Sequence, residues 1–445
     1  VDRVGREVDV FEKQFFPRAD GKTAADSKKA ANLSGSLLAQ LKSPAAKRSS
    51  RPVGELIVPF KKSAPEYVKL LQKLKSAMDR RDGFNNNIPR VMVMEEMAKP
   101  RDTYILVRGT YDKPGKKTPA SLIRRLPVPL KDEKIDRLGL ARWIVDSDNP
   151  LTARVTVNRL WQMLFGIGLV KTPEDFGVQG QKPSHPDLLD WLAVDFVESG
   201  WDVKRLLKLL CTSATYRQSS KAGAASFARD PENRLLARGA RFRLPSWMIR
   251  DQALAVSGLL NDEPGGPSVN SYQPEGIWAD ATFGKIRYQQ DKGEKLYRRS
   301  LYTFWRRIVG PTIFFDVAKR QTCEVKPFRT NTPLHALATL NDITYVEAAR
   351  VFAENLIAAA AGKKERIQLA FLRATGRLPG AAESAVLERK LDEFLLAYRE
   401  GRESAEKFAK AGEHPRLPAL DAREVAAYAA LSNLILNLDE VITKE

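Results

Sequence analysis

From about residue 136 onward, apolar positions recur at steps of three and four, and the segments that carry them have legible ends. The best defined spans 184–200. Ser184 can cap it, Pro186 suits its first turn, Asp187 complements its dipole and Gly200 ends it. Leu188, Leu189, Trp191, Leu192, Phe196 and Val197 then form its buried face. Asp202 offers a second cap before VKRLLKLLCTSATYRQ. A helix over 152–165 follows the Asn149-Pro150 turn, points Val155, Leu160, Trp161 and Leu164 inward and stops at Gly166 and Gly168. Its polar members Asn158 and Arg159 are left to face outward or to meet a buried partner. Similar patterns predict helices over 246–260, 332–340 (opening on Thr332 and Pro333), about 343–360, 381–399 and 421–438.

The first part of the chain is patterned more weakly. Residues 1–87 are rich in Lys, Ala and Ser, with helical periodicity near 24–42 and 65–81 separated by the polar stretch Ser43–Val53. In 88–112, Val91–Met94 and Thr103–Arg108 are β-rich and bounded by Pro and Gly, which predicts a short ribbon. Asp112–Asp132 reads as a linker, and the Gly/Pro-rich 261–297 as a long loop of the kind that serves function or partner binding. No internal repeat is present. The fold class is therefore mainly α, a multi-helix globular domain with a short N-terminal β-ribbon and long Gly/Pro-rich loops. Three regions follow: a partly flexible helical 1–87, a ribbon and linker over 88–135, and a main helical domain over 136–445.

At 445 residues the chain exceeds what one growing core accommodates. No apolar run nears the roughly 20 residues that cross a bilayer, so a soluble fragment is expected. The opening VDRVGREVDVFEKQFF is charged and amphipathic, without a signal-peptide core; an upstream segment of an exported parent is expected. Lys and Arg outnumber Asp and Glu by 73 to 54, a formal charge of +19 that attracts polyanions without choosing among them. The charge is spread along the chain, which equally fits a solvated basic surface. The two cysteines, Cys211 and Cys323, exclude a dense disulfide framework. Neither lies in CxxC or CxxCH, so zinc-ribbon and covalent haem sites are not encoded.

Only His185, His335 and His414 are present, with no HxxxH or HExxH spacing. His185 and His335 fall in helix first turns, where structural roles are common, and His414 lies in a polar connection expected to be exposed. GxSxG, GxGxxG and GxxxxGK[ST] are missing, which removes the usual support for esterase, dinucleotide and P-loop readings. The densest cluster of functional residue types is 315–342, with Asp316, Cys323, Arg329, Thr330, Asn331, Thr332, His335 and Asn341. It reads either as a capped helix start or as an anion site in which Arg329 stands beside a helix N-terminus. A Cys323–His335 nucleophilic pair is the remaining alternative there. Aromatics alternate with arginines in RFRLPSWMIRD and LYRRSLYTFWRR, as in surfaces that stack on rings while guanidinium groups hold anions, and equally as core aromatics flanked by solvated arginines.

RLGLARWIVDSDNPLTARVTVNRLWQMLFGIGLVKTPEDFGVQG, HPDLLDWLAVDFVESGWDVKRLLKLLCTSATYRQSS, DPENRLLARGARFRLPSWMIRDQALAVSGLL, LYRRSLYTFWRR, FRTNTPLHALATLND and LNLDEVITKE occur in that order. Together they resemble the planctomycete-type domain of unknown function 1553, over about 88–445. The resemblance implies an exported, periplasmic or cell-envelope parent, with haem c in an N-terminal part and a link to polysaccharide use. It supplies no agreed catalytic residues. His335 stands where many relatives carry Gln, which argues against an indispensable catalyst.

The leading expectation is a binding or interaction module, with 261–342 as recognition surface and the parent's N-terminal domains and anionic polysaccharide as partners. Arg299, Arg329, Thr330, Asn331, Thr332, Asn158 and Arg159 are its candidate binding residues. No cofactor or metal is expected in the chain itself. The alternative is an enzyme acting on sulfated or uronic-acid carbohydrate with Asp251, Asp316 and His335 as catalytic candidates; such chemistry needs two facing carboxyls about 5 to 10 Å apart. Nucleic-acid binding rests on charge alone and is disfavoured by export.

Overall fold

The computed structural model describes residues 1–122, 126, 136–306, 309–310, 313–316, 324–326 and 329–444. The chain forms two compact units, Val1–Pro119 and Ala120–Glu445, which divide inside the segment read as ribbon and linker.

In the first unit, α1 (Asp2–Phe15), α2 (Gly35–Leu41), α3 (Ser50–Phe60) and α4 (Pro65–Asn87) surround a core of Phe16, Leu56, Phe60, Tyr67, Leu71 and Leu74. The periodicity near 24–42 resolves into two 3-10 turns and α2, and the end of the polar stretch Ser43–Val53 is already inside α3. Buried Glu12 binds both terminal nitrogens of Arg48, at 2.6 and 2.7 Å, and accepts from Tyr67 Oη at 2.6 Å. Those bonds offset the cost of taking the carboxylate out of water.

The ribbon differs from expectation. β1 (Tyr104–Leu106) pairs antiparallel with β2 (Pro114–Lys117), inside the presumed linker, whereas Val91–Met94 forms no strand. The physical reason lies in the turns. Arg108 and Gly109 both adopt positive φ, 53° and 74°, and so reverse the chain between β1 and β2. The 95–102 connection has no glycine to do the same.

The second unit contains, in order, α5 (Arg137–Ile144), α6 (Thr152–Phe165), α7 (Pro186–Glu198), α8 (Val203–Thr212), α9 (Ala224–Arg229), β3 (Phe242–Arg243) and α10 (Ser246–Ser257). Then come α11 (Ile277–Thr282), α12 (Pro333–Asn341), α13 (Ile343–Ala359), α14 (Lys363–Thr375), α15 (Ala381–Glu400), α16 (Arg402–Ala409), α17 (Ala422–Leu436), α18 (Asp439–Ile442) and β4 (Thr443–Lys444). The fold is mainly α. Helix α13 belongs to two cores at once: Phe352 and Leu356 pack with α14, α15 and α17, while Tyr345, Ala348 and Val351 pack with α10. Alanines at 348, 349 and 353 on α13 and at 426, 427 and 429 on α17 are fully buried, small enough for close helix packing. A third core joins α6, α7 and α8.

Helix positions follow the pattern; some faces do not. Leu189, Leu192, Ala193 and Phe196 carry the buried face of α7, while Trp191 is 57% exposed. At 100° per residue Trp191 sits about 200° round from Leu189, so one stripe cannot bury both. The α7 N-cap is His185 rather than Ser184, whose N–H bonds Leu169 O at 2.9 Å. In α6 the buried apolar positions are Ala153, Val157, Trp161 and Phe165; Val155, Leu160 and Leu164 are half-buried. The Asp202 cap is present, accepting from Arg205 N at 2.9 Å, and Thr332 caps α12. The 261–297 loop is pinned rather than free: it holds α11 and a 3-10 turn at Gly293–Tyr297, and bridges residues 298 and 303. Among the described residues no helix is long and apolar enough to cross a membrane.

Candidate functional site

Strand β3 and the Arg-Thr-Asn-Thr-Pro turn meet around Asp316. Arg243 Nη1 donates to Asp316 Oδ2 at 3.1 Å, and Thr330 Oγ1 donates to Oδ1 at 2.8 Å. Both ion-pair side chains are less than a tenth exposed. The neighbouring Phe315 ring lies 4.8 Å from the Arg243 guanidinium and stacks on His335 at 4.1 Å. His335 Nδ1 accepts from Thr332 N at 3.4 Å, which requires an unprotonated nitrogen there. Asp316, Thr330, Thr332 and His335 thus build the turn, and Asn331 is exposed on it.

Arg329 is what the turn presents. Its guanidinium is half-buried, lies 4.0 Å over the Phe242 ring, and forms no ion pair among the described residues. Burial pushes its pKa down. With Arg238, Arg241, Phe242, Phe165 and Phe227 it lines a cleft of about 410 Å³ that no residue of α12 enters.

The opposite side of this cleft is the segment 230–242, held by many bonds. Asp230 accepts from Arg234 N at 2.8 Å and Leu235 N at 2.7 Å, and Asn233 Nδ2 donates to Arg238 O at 2.7 Å. Arg234 reaches Gly168 O and Leu169 O at 2.7 and 2.8 Å. Asn233 and Leu236 hold positive φ, 53° and 56°, strain that persists only where surroundings over-determine it. Arg238 is 6% exposed: Nη2 donates to Asp230 O and Pro231 O at 2.8 and 2.9 Å, and the guanidinium lies 4.3 Å over Phe227. Its Nη1 is shielded from water and has no partner among the described residues. A Cβ at Gly166 would fall 2.8 Å from Phe242, so glycine is what admits that ring. The other charges are committed, Arg241 to Asp439 and Glu232 to Lys171 at 2.6 Å.

Several predicted residues lie elsewhere or are spent. Asn158 is fully buried and clasps Val170, donating to its O at 3.0 Å and accepting from its N at 2.8 Å; it is a structural lock, not a ligand-binding group. Arg159 and Arg299 are exposed and outside the cleft lining. The adjacent Arg298 is the buried one: it donates to Pro267 O at 3.0 Å and stacks on Tyr302. Asp251 accepts from Ser300 N and Oγ at 2.8 and 2.6 Å and from Arg250 at 3.3 Å. His185 bonds Ser184 Oγ at 3.1 Å, and Asn341 bonds Leu337 O at 2.9 Å. His414, expected exposed, is half-buried, its N–H bonded to Glu347 at 2.7 Å. Cys211 carries a free, half-buried thiol; Cys323, and with it the proposed pair with His335, lies outside the described residues. No group of three or more metal-ligating side chains is assembled among the described residues.

Arg238 and Phe227 were missed by sequence reasoning. The available signal was the DPENRLLARGARF segment, whose Asp, Asn and Gly are loop-forming types surrounding three arginines. The geometry defines a mainly helical protein with an arginine-lined, aromatic-backed cleft. The family model for PSD1, a protein of unknown function (DUF1553), matches residues 136–391, and the chain belongs to that family. No curated protein and no solved structure matches the chain.

Proposed function

We propose that the helical unit is a binding module for anionic carbohydrate, acting within an exported, haem-bearing parent linked to polysaccharide use. One observation carries the reading: Arg238 and Arg329, each backed by a phenyl ring and neither in an ion pair among the described residues, line the same rigid cleft. Arg238 has the Asp230 carboxylate as a nearby counter-charge, whereas Arg329 is partly taken from water with desolvation alone acting on it, which is costly; an incoming carboxylate or sulfate removes that cost. The planar fork matches two oxygens of either group, and a ring behind it holds its plane before the ligand arrives. The volume suits one or two sugar units rather than an extended polymer groove.

Haem c finds no covalent attachment point here, since no CxxCH occurs, and no redox step is assigned to this chain. The enzyme reading has weaker support. Asp316 is bound by Arg243 and Thr330, and Asp251 by Ser300, so neither is a free acid or base in a cleft.

Equilibrium binding of the chain to sulfated, uronic-acid and neutral oligosaccharides, with duplex DNA as a further arm, tests the proposal. Binding of the two acidic classes with no retention of the neutral one is expected, weakening as salt rises. Equal affinity for neutral sugars, or binding only to DNA with a steep salt slope, refutes it.

A further inference from the structure

The β1–β2 ribbon of the first unit stands in water. Every residue of both strands is exposed, and Tyr104, Ile105, Leu106, Val107 and Tyr111 are between 39% and 88% exposed. A two-stranded ribbon is marginal by itself, and apolar side chains gathered on one mark an interaction surface. One edge of it is open. Thr118 N donates to Thr103 O at 2.9 Å and Val107 N to Lys113 O at 3.0 Å, so Thr103 and Val107 turn their backbone groups toward β2. The irregularity between the pairs Tyr104↔Lys117 and Leu106↔Pro114 places its extra residue in β2, which leaves the alternation along β1 intact. Tyr104 and Leu106 therefore turn their N–H and C=O groups outward, and neither makes a backbone bond outside the ladder among the described residues.

We infer that the free edge of β1 takes up an extended acidic peptide as a third strand. An open edge is matched by another backbone, whose donors and acceptors meet its own while side chains alternate to either face. Charge selects the occupant. Arg101, Arg108, Lys113 and Lys116 lie on or beside the strands and form no ion pair among the described residues, whereas Lys117 is joined to Asp102 at 2.7 Å. Asp112, in the turn, is the remaining carboxylate of the ribbon. A second copy is a poor occupant for the same reason: pairing β1 with its twin lays these cations against one another. A strand with aliphatic residues beside Tyr104, Ile105 and Leu106 and carboxylates toward Arg101 and Arg108 satisfies both the edge and the charge. Nucleic acid and polysaccharide match the charge but lack the evenly spaced N–H and C=O groups of a peptide.

Fluorescence anisotropy of labelled synthetic peptides titrated with the full chain tests this. The probe is an alternating valine–threonine strand with glutamates at both ends; a lysine-ended peptide of the same core is its counterpart. Binding of the glutamate-ended peptide alone is expected, and Arg101→Glu and Arg108→Glu each weaken it roughly 10-fold. Leu106→Pro separates strand addition from charge attraction. Leu106 has φ −81° and its N–H points away from β2, so proline fits there and removes one edge donor without breaking the ladder. It weakens binding roughly 50-fold. Leu106→Ala keeps the N–H and stays within about fivefold of wild type. The two variants share one melting temperature. Equal binding of the two peptides, binding of neither, or an L106P protein that binds as L106A does overturns the proposal. So does a wild type whose dimerisation is lost in L106P, which makes a second copy the occupant, or a sulfated polysaccharide or duplex DNA that shows the same sensitivity to that proline. Arg329→Ala takes up the peptide as wild type does; loss of binding there places the peptide in the cleft and refutes the edge.

Discussion

Replacing Arg329 by alanine separates recognition from folding. The side chain is half-buried, 4.0 Å over Phe242, and without an ion pair among the described residues. For folding, its removal forfeits a cation–π contact of about 0.5 to 2 kcal/mol. It also removes the desolvation that lowers the guanidinium pKa, and the two effects oppose each other. Net stability is therefore expected within about 1 kcal/mol of wild type. For binding, a fork of charge-assisted hydrogen bonds disappears. At about 1.5 to 3 kcal/mol per bond to a charged group, with some compensation by water, the loss is about 3 kcal/mol, roughly 150-fold in affinity. Arg329→Lys recovers only part of this, since an ammonium keeps the charge but not the fork. Arg159→Ala, on an exposed residue outside the cleft, leaves affinity unchanged. Isothermal titration with a sulfated oligosaccharide at low salt, paired with thermal melts, reads both quantities. An Arg329→Ala protein that binds as tightly as wild type, or one that unfolds, refutes the reasoning: the first removes the cleft from recognition, the second makes the side chain structural.

Two further outcomes concern stability. Glu347 is 1% exposed and accepts from Tyr272 Oη at 3.0 Å, Tyr297 Oη at 2.9 Å and His414 N at 2.7 Å, with Arg350 3.9 Å away; burial drives both phenols' pKa values well up. Glu347→Ala leaves three donors without their acceptor, while Arg350 keeps its 2.8 Å ion pair with Glu354, and should lower stability by about 3 to 5 kcal/mol in urea titration; a change below about 1 kcal/mol would sink this account. The Arg377 hydrogen bonds, followed by Gly380 N–H, lower the Glu383 pKa from 4.5 to about 2. A depressed carboxylate contributes stability that is complete above pH 4.5 and is lost as pH falls through about 2. Because both partners are over two-fifths exposed, the contribution is at most about 1 kcal/mol. Stability curves of wild type and Glu383→Gln should separate above pH 4.5 and converge near pH 2; a gap that does not vary with pH contradicts the assignment.

Local pattern determined the helical class, the position of α6, α10, α12, α13, α15 and α17 within a few residues, and the caps at Asp202 and Thr332, because periodicity and capping act over one or two turns. It also singled out 315–342, with Asp316, Arg329 and Thr330, as the densest cluster of functional residue types, but not that Asp316 meets the turn. Pattern could not distribute the arginines. Arg298 and Arg299 are adjacent and chemically identical, yet one is buried against backbone carbonyls and the other is in water. Asn158 resembled a binding residue until Val170 came within its reach. Partners far apart in sequence, such as Arg329 over Phe242 and Glu347 between Tyr272 and His414, become neighbours only when helices pack. A side chain's chemistry is written in the sequence, but its burial and its counter-charge depend on what the rest of the chain brings against it, and those two quantities decide which group is left to bind a ligand.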